Sequence, residues 1–225
     1  MMHIFLIRHS CTEGNLKKRY IGKTDEPLCE AGIELLKQRG YPDSERIYVS
    51  PMLRCRQSAE IIYPGRDYEV IEELRECDFG LFENKNYQEL DGNEAYQKWI
   101  DSMGTLPFPE GESRKMFRER TLKGFEKAVN ACKKDGIKKA AFVIHGGSIM
   151  NIIEAYGIPA GDYYDYQIKN GDGYELFISD DDSGTCGDCS GFDVRRSEMA
   201  IPSGEIDWTS DHMVRKNYKK LFAEE

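Results

Sequence analysis

The chain has 225 residues, of which 40% are hydrophobic and 32% charged, a composition that excludes wholesale disorder and suits one compact domain with a well-solvated surface. Its 40 acidic and 31 basic residues give a net charge of −9, so the overall charge does not favour nonspecific binding to nucleic acid or to an anionic membrane. An anionic ligand would therefore need a local cluster of cations.

The first half of the chain alternates short apolar runs with helical patterns. Residues 4–7 are continuously apolar, which predicts a strand buried on both faces. Residues 31–39 predict a short helix. Residues 47–49 predict a second buried strand, and the next helix is expected to begin with Ser50 as its N-cap and Pro51 at its first position.

The middle of the chain holds a less regular section. Residues 68–71 predict a third strand, and residues 74–111 mix short helical pieces with glycine and proline, which indicates an insert or lid. Apolar residues recur at helical spacing from residue 113 to about residue 134, which predicts a long amphipathic helix. The aromatic residues of the insert could line a substrate wall or form its own small core, and they include Tyr87, Tyr96, Trp99 and Phe108.

The last part of the recognisable pattern returns to strands. Residues 140–144 give the clearest buried strand, and a helix is expected over 148–156. Residues 165–169 and 174–178 flank an Asn-Gly-Asp-Gly sequence, which predicts a β-hairpin at the sheet edge. Residues 211–222 have a pattern that permits a C-terminal helix. Together the elements predict an α/β fold, a three-layer α/β/α sandwich with a mostly parallel central sheet and a small helical lid.

Three of the predicted strands end in polar loops that lead into helices. Ligand sites in open α/β sheets lie at this edge, where helix N-termini also point their free amides. These loops supply Arg8 and His9, Arg54, and His145 with Gly146. A single histidine or arginine at such a place is more often structural or ion-paired, but two guanidinium groups, two imidazoles and backbone amides together match a tetrahedral phosphate.

The sequence Leu-Ile-Arg-His-Ser-Cys-Thr-Glu-Gly-Asn at residues 6–15 resembles the opening of the histidine phosphatase superfamily, the phosphoglycerate mutase-like group. The signature of this family is Arg-His-Gly followed by Thr and Asn. Four further motifs occur in the family's order: Gly22 with Asp-Glu-Pro-Leu and Gly32, Ser-Pro-Met-Leu-Arg from residue 50, Leu-Arg-Glu with Gly80, and His-Gly-Gly from residue 145. The resemblance covers residues 3–178, and compact bacterial phosphatases similar to α-ribazole phosphatase or to broad-specificity phosphatases look closest.

The resemblance implies a phosphomonoesterase that acts on a small phosphorylated metabolite. His9 would be the nucleophile and would form a phosphohistidine that water later hydrolyses. Glu76 would be the general acid and then the general base. The phosphate would be bound, and its charge stabilised, by the residues Arg8, Arg54, His145, Asn15 and Gly146.

Two other functions stay open. One is a phosphotransferase of the phosphoglycerate mutase type, although little room is left for the larger insert of such an enzyme. The other is a catalytically silent module that binds a phosphorylated ligand, suggested by Ser10 at the position where the family most often has glycine. Cys29 likewise replaces a usual hydroxyl residue, and Asn84 stands where many relatives have glycine.

The resemblance also leads to expectations about cofactors, binding partners and domain boundaries. The implied reaction uses no metal and no other cofactor, and neither nucleic acid nor a membrane is expected to bind; a homodimer is left open. Residues 1–178 would be the catalytic domain, with the lid at about 77–111, and residues 179–225 a C-terminal extension without an assigned role. Seven scattered cysteines and no secretory signal predict a reduced, cytoplasmic protein, and the pair Cys186 and Cys189 is only half of a zinc site.

Overall fold

The computed structural model describes residues 1–178 and the backbone of residues 218–220. Its strands are β1 (Met2–Arg8), β2 (Arg46–Val49), β3 (Glu69–Val70), β4 (Lys139–Ile144), β5 (Gly173–Ile178) and β6 (Tyr218–Lys220). Its α-helices are α1 (Glu13–Leu16), α2 (Glu30–Gln38), α3 (Leu53–Ile62), α4 (Glu94–Asp101), α5 (Arg114–Lys134) and α6 (Gly146–Tyr156). None of the described helices is long and apolar enough to cross a membrane.

The described strands form one sheet in the order β3-β2-β4-β1-β5-β6. β1 lies parallel to β4, with Leu6 opposite Phe142, and β2 lies parallel to both β4 and β3. β5 is antiparallel to β1, and β6 is antiparallel to β5. The predicted α/β class with a mostly parallel sheet is confirmed.

Helices cover both faces of the sheet because side chains of each strand alternate between the faces. Ile4 and Leu6 of β1 belong to a buried cluster that includes residues of α5 and α6. Phe5 and Ile7 alternate with them and pack in a second cluster with residues of α3, against which α2 also packs. Truncating one of these buried side chains to alanine would cost about 2–5 kcal/mol. The result is the predicted three-layer sandwich.

The predicted start of the helix after β2 was wrong by two residues. α3 begins at Leu53 with Met52 as its N-cap, so Ser50 and Pro51 precede the helix. The Ser50 hydroxyl lies 2.6 Å from Nε2 of His145, in the loop after another strand, and only a longer contact of 3.5 Å joins it to the amide of Met52. The pattern that looked like an N-cap is part of the site.

The hairpin predicted over residues 165–169 and 174–178 was also wrong. Tyr163–Tyr166 is a short 3₁₀ helix, opened by a capping box between Asp162 and Asp165. Such side-chain bonds to the backbone compete with strand pairing. The second segment does form β5, but it pairs with β1 instead of with the segment before it.

The C-terminal part of the chain contributes one strand to the described structure. Residues 218–220, which fall in the segment 211–222 with its helical pattern, form β6 on the outer side of β5 instead of a helix. Cys186 and Cys189 lie outside the described residues.

Between residues 77 and 111 the chain forms a 3₁₀ turn at Gly80–Phe82 and the helix α4. Its aromatic rings pack on one another and on Tyr20, which belongs to the loop after β1; ring centroids 4.9 to 6.4 Å apart join Tyr20, Phe79, Phe82, Tyr96, Trp99 and Phe108. This segment therefore has its own small core, which is fastened to the loop that follows the first strand. Tyr87 lies outside that core and is 56% exposed.

Candidate active site

The site lies at the carboxyl ends of β1, β2 and β4. Because β1 and β4 are parallel and in register, with Arg8 opposite Ile144, the residues that follow them are neighbours. The rings of His9 and His145 are edge to face, with centroids 5.2 Å apart. Both side chains are buried. The sheet register thus creates the histidine pair.

The ring of His9 is held in one tautomer. Nδ1 lies 2.7 Å from the carbonyl oxygen of Ser10, and a carbonyl can only accept, so Nδ1 carries the proton. Nε2 is then the unprotonated nitrogen of the neutral ring. A neutral imidazole with a fixed tautomer and a free Nε2 is suited to nucleophilic attack.

Both histidines stay neutral near neutral pH. Burial lowers the pKa of His9 well below its usual value, and the positive charges of Arg54 and Arg8 lower it further. Burial likewise lowers the pKa of His145, again with Arg54 next in size. Nε2 of His145 is hydrogen-bonded to the Ser50 hydroxyl, which orients its ring.

Arg54 is fully buried and is held by a loop of backbone carbonyls. Its terminal nitrogens donate to the carbonyl oxygens of Thr24 and Gly22, each at 2.9 Å, and of Ile21 at 3.3 Å. Its Nε has no partner among the described residues. A buried guanidinium fixed on one side and unpaired at Nε is a preorganised donor for an anion.

The loop that holds Arg54 is itself tied to the lid segment by Glu83. The Glu83 carboxylate accepts from the amides of Gly22 at 3.0 Å and Lys23 at 2.8 Å, and from the hydroxyl of Thr24 at 2.7 Å. Hydrogen bonds to a charged acceptor are worth more than neutral ones, about 1.5–3 kcal/mol each. Glu83 therefore links the position of Arg54 to that of the lid segment.

Arg8 ends β1 and points its guanidinium along the same edge. One terminal nitrogen donates to the carbonyl oxygen of Ile168, while Nε has no partner among the described residues. Burial lowers the pKa of Arg8, and the nearby Glu76 carboxylate opposes that effect. A Cβ on Gly146 would lie 3.3 Å from Nε of Arg8, so glycine at this position leaves the face of the guanidinium open.

Glu76 lies over the N-terminus of α6. Its Oε1 accepts from the amide of Cys77 at 2.9 Å, and the nearby backbone of Gly147 works to lower the pKa of the carboxyl. Burial raises the pKa of Glu76, although Arg54 and Arg8 act in the opposite direction. A carboxyl with a raised pKa retains its proton at higher pH than an ordinary glutamate, which is what a general acid requires.

The start of α6 is built around this carboxyl. The helix begins at Gly146, two residues earlier than predicted, with His145 as its N-cap. A Cβ on Gly147 would lie 2.8 Å from Oε1 of Glu76 and 2.9 Å from the ring of Phe117, so glycine is required by the close approach. The first amides of an 11-residue helix also favour a negative group at this end.

Asn15 occupies the rim of the site. It caps the one-turn helix α1 together with Thr12, and its Oδ1 accepts from Nδ2 of Asn170 at 3.0 Å. None of the hydrogen bonds among the described residues uses its Nδ2, and the residue lines a cavity. Asn15 is thus positioned by two neighbours and keeps one donor for a ligand.

Ser10, the residue in place of the family's glycine, does not supply a donor to this pocket. Its hydroxyl donates to the carbonyl of Gly32 at 2.7 Å, and its amide donates to the Ser58 hydroxyl at 3.0 Å. The Ser10 side chain therefore ties the loop after β1 to α2.

A cavity of about 350 Å³ opens beside Arg8 and Asn15. Its other lining residues are Lys18, Arg19, Tyr20, Tyr87 and Asn170. Arg19 is already ion-paired with Glu89, whereas Lys18 is exposed and has no ion pair among the described residues. Of the aromatic residues considered as a substrate wall, only Tyr87 lines this cavity.

The sequence did not single out four residues that organise the site. Ser50 orients His145, Asn170 orients Asn15, and Glu83 holds the loop around Arg54. Arg120 donates to the carbonyl oxygens of Glu73, Arg75 and Glu76 and forms a 2.6 Å ion pair with Glu112. Only Ser50 gave a usable signal, because it directly follows a predicted strand.

The fold and the site define an α/β/α protein whose sheet edge gathers two buried histidines, two arginines and a carboxyl with a raised pKa. The chain belongs to the histidine phosphatase superfamily (branch 1), whose family model matches residues 4–184. The resemblance drawn from the sequence motifs is thereby confirmed.

Individual relatives carry two kinds of name. The chain is 25% identical over 181 residues to an adenosylcobalamin/alpha-ribazole phosphatase of Salmonella typhimurium, covering 76% of this chain and 87% of that protein. It is 35% identical over 123 residues to a protein of Photorhabdus laumondii named "Probable phosphoglycerate mutase GpmB", covering 50% of this chain but only 56% of that one. The alpha-ribazole phosphatase structure from Shigella flexneri has the same fold, with a TM-score of 0.70 at 22% identity over 80% of this chain and 92% of that chain.

Proposed function

We propose that the protein is a phosphomonoesterase that hydrolyses a small phosphorylated metabolite through a phosphohistidine on His9. The observation that carries this proposal is the state of the His9 ring: buried, neutral, fixed by the Ser10 carbonyl, and surrounded by cationic groups. Superfamily membership and the phosphatase among the relatives support the same class of reaction.

In the proposed reaction, the phosphoryl group binds between the two arginines. Nε of Arg8 and Nε of Arg54, which lack partners among the described residues, donate to its oxygens. His145, Asn15 and the amide of Gly146 complete the cradle at the N-terminus of α6. Because these donors are fixed before the ligand arrives, little reorganisation is needed as charge moves in the transition state.

Nε2 of His9 then attacks phosphorus, and the bond to the leaving oxygen breaks. Glu76, whose pKa is raised by burial, acts in its protonated form and gives its proton to that oxygen. After the alcohol leaves, the Glu76 carboxylate takes a proton from water, and the oxygen of that water displaces His9 from phosphorus. The products are the alcohol and inorganic phosphate, and both side chains return to their starting states.

The alcohol part of the substrate would occupy the cavity beside Arg8. At about 350 Å³ it fits a small organic group rather than a macromolecule. The side chains of Tyr20 and Tyr87 offer apolar surface, and Lys18 offers a positive charge. This lining supports a polar or anionic metabolite as the substrate.

The test compares two histidines of the first strand and its loop. Phosphate release from p-nitrophenyl phosphate and from a panel of phosphorylated metabolites is measured for the wild type, His9→Ala and His3→Ala. We expect His9→Ala to lose at least 10³-fold in kcat/KM, on the order seen when a nucleophile is removed, and His3→Ala, at the other end of β1, to keep its rate. Equal background rates in the wild type and His9→Ala would refute the proposal and favour a silent phospho-ligand module.

A rapid acid-free quench of the wild type during turnover is expected to show one added phosphoryl group on the peptide that contains His9. Turnover in the presence of EDTA is expected to match turnover without it. Loss of activity with EDTA would contradict the proposed chemistry, in which no step uses a metal.

A phosphoglycerate mutase activity is the second candidate, favoured by the relative named for that activity. It differs from the first only in the acceptor of the phosphoryl group, which is a second substrate alcohol instead of water. Incubation with 3-phosphoglycerate and a bisphosphate primer separates the two. Efficient formation of 2-phosphoglycerate without release of phosphate would replace the phosphatase proposal with this one.

A further inference from the structure

Two cysteines face each other in the loop that follows the nucleophile. Thr12 and Leu28 form an antiparallel bridge, and the amide of Cys29 donates to the carbonyl oxygen of Cys11 at 3.0 Å. The Cys11 thiol donates to the carbonyl oxygen of Thr12 at 3.5 Å, and the Cys29 thiol lies near enough to raise the pKa of Cys11. Both cysteines are free thiols in the structure.

The backbone places this pair within reach of a disulfide bond. Residues that sit opposite each other in a hydrogen-bonded antiparallel pair have Cα atoms about 5.5 Å apart. Disulfide-bonded cysteines most often have Cα atoms about 5.5–6 Å apart. Cys11 is partly exposed, whereas Cys29 is 7% exposed, so Cys11 is the more accessible of the two to a reagent.

We propose that Cys11 and Cys29 are a site of reversible oxidation, at which an intramolecular disulfide forms and lowers turnover at the neighbouring active site. The oxidant is a hydroperoxide. The Cys11 thiolate attacks the peroxide oxygen and breaks the O–O bond, which gives a sulfenic acid and releases water or an alcohol. The Cys29 sulfur then attacks the Cys11 sulfur, the S–O bond breaks, and water leaves. Two thiols lose two electrons, and the peroxide gains them.

The consequence for the site follows from what the loop between the two cysteines contains. This loop carries the carbonyls that hold Arg54 and the residues Asn15, Lys18 and Tyr20 that line the cavity. A disulfide bond is about 2.05 Å long, shorter than any non-bonded contact between two sulfur atoms, so one or both cysteines must move. Cys11 is only two residues from His9.

The movement would be transmitted because Ser10, between Cys11 and His9, is bonded through all its polar groups. Its carbonyl fixes Nδ1 of His9, its amide bonds to Ser58, and its hydroxyl bonds to the carbonyl of Gly32. Small displacements of a reacting group can cost up to 10²-fold in rate. Burial, together with the Cys29 thiol and Glu13, raises the pKa of Cys11 to about 11, and Arg8 acts in the opposite direction. Because only the thiolate reacts, oxidation needs prolonged exposure to peroxide or a mildly alkaline buffer.

The test oxidises the full chain with hydrogen peroxide at pH 8.5 and digests it with trypsin without reduction. Trypsin places Cys11 in the peptide 9–17 and Cys29 in the peptide 24–37, so the disulfide appears as one linked pair whose mass is two hydrogens below the sum. We expect Tm to rise by roughly 5–10 °C, because a loop of this length is closed. We also expect kcat/KM to fall by roughly tenfold or more, and dithiothreitol to reverse all three changes.

Two variants make the result specific. Cys29→Ser, with Cys11→Ser as a second version, is expected to keep the basal rate and to show none of the three changes. A Cys186→Ser/Cys189→Ser double variant is expected to respond as the wild type does. The loss of rate rests on the proposed phosphatase function, but the linked peptide and Tm do not, so a protein without phosphatase activity still tests the disulfide.

Absence of the linked peptide after peroxide treatment would overturn the proposal. So would an equal loss of rate in Cys29→Ser, since the oxidation would then act elsewhere. A linked peptide with unchanged Tm and unchanged rate would overturn the claim that this pair controls the site.

Discussion

We expect acid to destabilise this protein through the two histidines of the site. Both have a pKa in the folded state well below that of an exposed histidine, mainly because they are buried. In the unfolded chain each has the usual pKa of about 6.5. Below that pH the unfolded state binds more protons than the folded state, so the free energy of unfolding decreases as the pH falls.

The size of the effect follows from this difference. Between pH 7.5 and pH 5.5, a histidine that stays neutral when folded and has an unfolded pKa of about 6.5 loses about 1.4 kcal/mol of stability. His9 and His145 together therefore lose about 2.8 kcal/mol, a large share of the 5–15 kcal/mol that a domain has. Glu76 acts in the opposite direction, because its raised pKa lets the folded state take up a proton before the unfolded state does.

The assay is urea unfolding of the wild type and of His145→Gln from pH 7.5 to pH 5.5, in buffers free of phosphate. Glu76 is present in both proteins, so the difference between their pH slopes isolates one histidine. We expect the variant to lose about 1.4 kcal/mol less than the wild type over this range. Ile152→Val, a buried change in the same helix, is expected to lower stability by about 0.5–1.5 kcal/mol at every pH and to leave the slope unchanged. Parallel curves for the wild type and His145→Gln would refute the reasoning.

Three further substitutions test the site. Glu76→Gln is expected to lower kcat for alkyl phosphates by about 10²–10⁴-fold. The loss for p-nitrophenyl phosphate is expected to be much smaller, because p-nitrophenolate is a weak base and needs little help from an acid. Equal losses for both substrates would exclude Glu76 as the general acid. Glu83→Gln removes the charged acceptor that holds the loop around Arg54, so we expect KM to rise and the free energy of unfolding to fall by about 2 kcal/mol. The exposed control Glu34→Gln is expected to change the free energy of unfolding by less than about 0.5 kcal/mol. A Glu83→Gln protein with the unfolding curve and KM of the wild type would contradict this. Gly147→Ala places a Cβ 2.8 Å from Oε1 of Glu76 and is expected to lower kcat/KM by roughly 10²-fold. The control Gly40→Ala, where a Cβ meets nothing within 4 Å, is expected to keep the rate of the wild type. Similar rates for the two variants would show that the close approach at Gly147 does not matter.

The sequence predicted the sheet where apolar runs are continuous. The runs at residues 4–7 and 140–144 lie inside β1 and β4, because a strand buried on both faces leaves an unbroken hydrophobic signal. The polar residues that end these runs meet in the structure because the two strands are parallel neighbours. Strand order itself was not readable, since it depends on contacts between distant residues.

The site residues that the sequence analysis missed interact with residues far away along the chain. Glu83 is one acidic residue among many, and only the folded loop places three donors around it. Ser50 looked like a helix cap because local patterns cannot show that His145, 95 residues away, takes its hydroxyl. Asn84, noted only as a replacement for glycine, has a positive φ of 55°, a conformation that asparagine tolerates better than most residues.

The antiparallel strand β6 covers part of the outer edge of β5 at one side of the sheet. Without it, the outer backbone groups of β5 would be a row of free donors and acceptors, which is a template for pairing with a second chain. Residues 218–220 occupy part of that row, so the C-terminal segment shields the sheet from self-association as well as extending it. Shortening the protein to residue 178 would retain every residue of the proposed catalytic cycle yet leave the outer edge of β5 unpaired, and poor solubility of such a truncated protein would reflect that uncovered edge rather than damage to the candidate site.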